Sequence, residues 1–125
     1  MNKAQLYELV QRQARAWEQA DTTAILADFA PDGLFISPGG RWQGHEAIRG
    51  AVESFFASAT DVQCQVTRVL LDSEQGDQGA AEWTWSETNR KTGKRHTTED
   101  AIIFVLRGDK IVYWREYIDT VERKS

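Results

Sequence analysis

In "AEWTWSE" (residues 81–87), Trp83, Trp85 and Glu87 are spaced by two. On a β-strand successive side chains alternate faces, so the three would stand in one row. Two indoles leading to a carboxylate can wall a ligand pocket that ends in an acid/base group. They can equally form a buried dimer surface with a solvated glutamate at its rim. A second acid, Asp100, interrupts an otherwise apolar run in "TTEDAIIF". A buried carboxylate needs partners or water, and one that is partly desolvated has a raised pKa and can move a proton beside a carbonyl. Asp100 either points into a pocket as an acid/base candidate or is a partly exposed strand start near the hairpin, and we read it as the former.

Other reactive residue types have weaker settings. His45 opens a helix-like run and His96 follows a turn, and neither has a cysteine or histidine partner at metal-ligand spacing, so no metal site is expected. Ser37, Ser86 and Cys64 lack the surroundings of an activated nucleophile, so a covalent mechanism is disfavoured. The net charge is −4, and the basic run "RKTGKR" reads as a hairpin turn, so nucleic acid is not an expected partner. No stretch approaches the ~20 apolar residues of a membrane span. The start lacks the apolar core of a signal peptide. Cys64 is the only cysteine, which fits a reducing compartment and a cytoplasmic protein.

The elements that must position these groups are legible in outline. The 125 residues suffice for one domain, 1–125, burying roughly two-thirds of its unfolded surface. Residues 3–20 carry a helical stripe of Leu6, Leu9, Val10, Gln13 and Trp17. A second helix follows Asp21 as N-cap, with Ile25, Leu26 and Phe29 on its apolar face, and ends at "APDG" (30–33). A short strand "LFIS" and the turn region "PGGRWQG" lead into a third helix, "HEAIRGAVESFFASA". Four strand-like runs complete the chain, separated by "SEQGDQ", "KTG" and "GD" turns. The expected fold is α+β: a curved antiparallel sheet of about six strands covered by three N-terminal helices, with a concavity for a small ligand.

Three segments, "DFAPDGLFISPGG", "QGHEAIRG" and "GDKIVYWREYID", in this order and spacing resemble the nuclear transport factor 2-like superfamily, and within it the SnoaL-like polyketide cyclases and ketosteroid isomerase-like proteins. The resemblance spans about residues 5–120. It implies a cone-shaped α+β barrel with a deep pocket, commonly a homodimer through the outer sheet face. It does not imply steroid isomerisation. The catalytic aspartate of the isomerases falls on Ser37, their polarising tyrosine near Gln13, and their protonated aspartate closest to Ile102, two residues after Asp100. Relatives that hydrolyse epoxides are matched only in part, by Trp85, Glu87 and Asp119. The cyclase branch places an acid/base aspartate near the end of the last strand, and Asp119 matches it.

Which groups share the cup depends on strand parity. In "YWREYID", Tyr113, Arg115, Tyr117 and Asp119 share one face, while Val112, Trp114, Glu116 and Ile118 share the other. A three-residue loop at Lys91-Thr92-Gly93 would pair Trp85 with Glu99 and put Asp100 on the face of Thr84 and Ser86. A two- or four-residue loop, or one bulge, reverses this. On the simplest turn, Trp83 and Trp85 lie on the outer, dimer-forming face. The pocket is then lined by Gln13, Trp17, Phe29, Phe55, Phe56, Ile102, Phe104 and Tyr117, with Asp100 and Asp119 as catalytic acids. Tyr117 or Gln13 would hold an oxygen. The expected ligand is a small hydrophobic carbonyl or hydroxyl compound, handled without a cofactor by isomerase, cyclase or dehydratase chemistry. A non-catalytic carrier and a dimeric scaffold are the rival readings.

Overall fold

The first helix, α1 (Lys3–Glu18), forms where apolar residues recur every three to four positions. Its start is closed by a capping box. The Asn2 side chain accepts the Gln5 N–H at 2.8 Å, and the Gln5 side chain accepts the Asn2 N–H at 2.9 Å. Leu6, Leu9 and Val10 are buried in the core, each contributing roughly 1.5–3 kcal/mol through burial. The structure, a computed structural model, describes residues 1–72, 74 and 77–119.

The second helix, α2 (Thr22–Ala27), starts on the Asp21 side chain, which accepts the Ala24 N–H at 3.0 Å. It is shorter than the sequence suggests. Phe29, expected on its apolar face, instead opens strand β1 (Phe29–Ser37). The cause is pairing: the Asp28 carbonyl accepts the Ile111 N–H at 2.8 Å, and Phe29 aligns with Ile111 on β6 (Lys110–Ile118). Pro31 and Gly33, expected to stop a helix, lie where this pairing slips between Phe29 and Leu34. Proline has no N–H to lose there. A Cβ on Gly33 would come within 2.8 Å of the Ile111 carbonyl oxygen.

Strand β2 (Gly40–Gln43) returns antiparallel to β1, and Gly44, at φ +88°, leads into α3 (His45–Ser58). Strands β3 (Ala59–Leu71), β4 (Gln78–Asn89) and β5 (Arg95–Arg107) follow. The order across the sheet is β2-β1-β6-β5-β4-β3; β1 and β6 run parallel and the other neighbours antiparallel. This is the expected six-stranded α+β architecture. Ser73, Gln75 and Gly76 of the "SEQGDQ" turn lie outside the described residues. Among the described residues no helix is long and apolar enough to cross a membrane.

The β4–β5 hairpin corrects the parity. Asn89 N–H donates to the Lys94 carbonyl, closing a four-residue loop at 90–93 rather than a three-residue one. The Asn89 side chain accepts the N–H groups of Lys91 and Thr92, and Gly93 takes φ +71°. Trp85 therefore faces Thr98, and Trp83 faces Asp100. Because side chains repeat every two residues, that single step turns the whole tryptophan row inward. Trp83 is 1% exposed and Trp85 8%, both within the core. The outer sheet face instead presents Leu70, Ile103 and Tyr117, each close to half exposed.

Candidate functional site

The sheet's inner face carries three indole–carboxyl pairs. Trp83 Nε1 donates to Asp100 Oδ2 at 3.0 Å, across the β4–β5 register. Trp85 Nε1 donates to Glu87 Oε1 at 2.9 Å, and Trp114 Nε1 to Glu116 Oε2 at 3.0 Å, each along one strand. The same geometry recurs because Trp-x-Glu occurs on both strands, and residues two apart share a face. Asp100 also accepts the Thr98 hydroxyl at 2.8 Å. Ile102 lies opposite Glu116 and Asp100 opposite Ile118, so the two carboxyls are diagonal neighbours on adjoining strands.

The carboxyls of all three pairs, with Trp85 and Thr98, open into a cavity of about 610 Å3. Its sheet wall presents Trp85, Glu87, His96, Thr98, Asp100 and Glu116; Trp17, Phe35, Trp42 and Phe55 supply rings from the helices and the β1–β2 hairpin. Trp17, Phe55 and Trp85 meet edge to face with centroids 5.7–5.8 Å apart. The space exists because α3 turns small residues towards it: Ala47, Gly50, Ala51 and Ser54 follow helical spacing along one face. This small-residue stripe was a sequence signal for a cavity, as the two Trp-x-Glu motifs were for its acids.

Removal from water dominates the electrostatics. Desolvation raises the Asp100 pKa and nearby Glu87 adds to it, while the hydrogen bonds from Thr98 and Trp83 pull it back. Glu116 is pushed up to about 7, first by desolvation and then by Asp100, against the stabilising bond from Trp114. Glu116 retains some accessible area but is enclosed by protein, which fits a side chain whose exposure is to the cavity. Its Oε2 is held by Trp114, while Oε1 receives no hydrogen bond from any described residue. Two adjacent carboxyls of this kind resist ionising together.

Several residues expected in the pocket sit elsewhere. Trp17, Phe55 and Asp100 line the cavity. Phe56 packs against Trp17 and Phe55 outside the lining. Phe29, Ile102 and Phe104 are core residues, Phe29 and Phe104 both against Trp114. The amide of Gln13 is committed to structure: its Nε2 donates to the Ile25 carbonyl and to Asp28 Oδ2, both at 3.0 Å. Tyr117 lies on the outer face, with the Arg115 guanidinium 4.8 Å from its ring centre. Asp119 is exposed beyond the end of β6; it borders a second depression with Thr84, Glu99 and Tyr117, and its N–H donates to the Glu99 carbonyl. Strand alternation turns the side chains of these last two to the opposite face from that of Asp100, although Asp100 also borders this depression. Glu116, His96 and Trp42 line the cavity without having been singled out as its groups, while Trp85 and Glu87 line it as the pocket-wall alternative for their row expected. Ser37, at the place of the isomerase base, lines it too. Among the described residues no group of three or more potential ligands is placed to hold a metal ion.

Comparison with known proteins agrees with this architecture. A hypothetical protein with a ketosteroid isomerase-like fold from Catenulispora acidiphila, in complex with trimethylamine, superposes with a TM-score of 0.82 at 22% identity, covering 90% of this chain and 86% of that one. A putative SnoaL-like polyketide cyclase from Jannaschia sp. gives 0.79 at 16% identity, covering 93% and 86%. A putative polyketide cyclase from Xanthomonas campestris gives 0.79 at 20%, covering 95% and 93%. No protein of curated function matches this sequence. The SnoaL-like domain matches residues 10–114, and the chain therefore belongs to the SnoaL-like domain family.

Proposed function

We propose that the cavity binds a small, largely apolar molecule and that Glu116 and Asp100 transfer a proton on it. The observation that carries this reading is the pair of diagonal carboxyls on the cavity wall, each fixed by an indole N–H. Asp100 accepts two hydrogen bonds, which suits a carboxylate. Glu116 titrates near neutrality and keeps Oε1 for the substrate. A base of this kind removes a proton from carbon beside a carbonyl; the resulting enolate takes a proton back at another atom, so the substrate is isomerised with no net loss of hydrogen. The rings of Trp17, Phe55 and Trp85 supply the apolar wall.

A binding role without chemistry is the second reading, favoured by Ser37 at the position of the isomerase base. One experiment separates them. Small aromatic and alicyclic ketones are incubated with the protein in D2O and followed by proton NMR. Enzyme-dependent exchange that disappears in Glu116→Gln supports proton transfer. Bound ketone without exchange leaves a carrier. We place a second copy of the chain against the outer face, where Leu70 and Ile103 stand in register with Ala80 and Arg115; light scattering would report a dimer. The lone, buried Cys64 fits a cytoplasmic setting.

A further inference from the structure

The charges around the cavity have one sign. Glu46, Glu87, Asp100 and Glu116 line it, and among the described lining residues His96 is the single basic group, with no lysine or arginine. The ion pairs found among the described residues, Arg12–Asp28, Arg68–Glu82, Arg95–Asp61 and Arg107–Asp32, leave all four of these carboxyls out. Three of them are held by indole N–H groups instead. A neutral donor fixes a carboxylate without cancelling its charge. The fold thus builds a negative concavity and leaves its counter-charge to be supplied by what binds.

We infer that the molecule taken by this cavity is a small lipophilic ammonium, held between the wall carboxylates and the aromatic rings. This rests on the cavity being the ligand site, as proposed above. A low-dielectric cleft lined by one sign of charge focuses its potential. Trp85, Trp17 and Phe55 stand in one contact cluster beside the acids, and aromatic faces attract cations more strongly when water is excluded. Desolvation of an ammonium is costly on an apolar wall alone, and the carboxyl groups of the wall offset it. Without a cation, Glu116 gives up its proton only around pH 7; a bound cation favours the ionised form and lowers that pH. Affinity for a permanently charged ligand should therefore rise as pH increases through about 7. His96 and Glu46 also face the cavity.

The test compares choline with its neutral isostere 3,3-dimethylbutan-1-ol, and adds acetophenone as a neutral probe of the cavity itself. Binding is followed by calorimetry and tryptophan fluorescence at pH 5.5 and 8. The expected result is about a tenfold preference for choline over the isostere at pH 8, reduced at pH 5.5 and reduced again in Glu87→Gln. Equal or tighter binding of the isostere overturns the inference. Binding of acetophenone alone overturns it while leaving the cavity as a ligand site. If none of the three binds, the proposed ligand site fails with it.

Discussion

Replacing Glu116 by glutamine should stabilise the protein at alkaline pH. The Glu116 carboxyl is raised from 4.5 to about 7. In the folded state it binds a proton more tightly than in the unfolded chain, so its contribution to stability is undiminished below about 4.5. Stability is then lost as pH rises towards 7, and the full deficit, about 3 kcal/mol, persists above that. Glutamine cannot ionise, and its amide oxygen can still accept the Trp114 N–H. Glu116→Gln should therefore match the parent near pH 4.5 and exceed it by up to about 3 kcal/mol at pH 8.5. For a chain of this length that is roughly 10 °C in Tm. Thermal melts of both proteins across pH 4.5–8.5 read the effect directly. The difference between the two curves isolates Glu116 together with its coupling to Asp100. A difference that does not change with pH, or a variant less stable at pH 8.5, would refute the claim that this carboxyl is held out of water. Gain of stability with loss of proton transfer is the pattern expected where a site is built against folding.

Three further outcomes follow from the packing. Asp28→Ala removes the acceptor shared by Arg12 and by buried Gln13; it should cost about 2–3 kcal/mol in urea unfolding, whereas Arg107→Ala, which breaks a solvent-exposed pair, should leave the midpoint unchanged. Asn89→Ala deletes the side chain that accepts two N–H groups in the β4–β5 loop. A loss of about 1 kcal/mol is expected, and an unchanged midpoint would count against this loop as the device that sets the register. Burial pushes the Cys64 thiol up, with Glu18 adding to the shift; native protein should resist iodoacetamide at pH 8, with full labelling in denaturant, measured by mass spectrometry.

The sequence by itself determined the elements and their order. The period of three to four residues from Leu6 to Trp17 and the alternation in "IVYWREYI" are local properties, set by which residues can share one side of a helix or strand. Alternation alone already put Glu116 and Trp114 on one face of β6 and Tyr117 and Asp119 on the other. Which face was inside could not be settled locally, because strand parity reverses with one residue in a loop. Asn89 decided it by closing four residues instead of three, and with that Trp83 and Trp85 moved from an expected surface to the core. The same holds for Phe29, drawn from a helix into a strand by pairing with Ile111, eighty-two positions away. The site is of this second kind. Asp100 and Glu116 come together only through the β5–β6 register, and their altered acidity comes first from burial in the packed fold. A residue type states which proton a side chain can carry; only the packed environment sets the pH at which it gives that proton up.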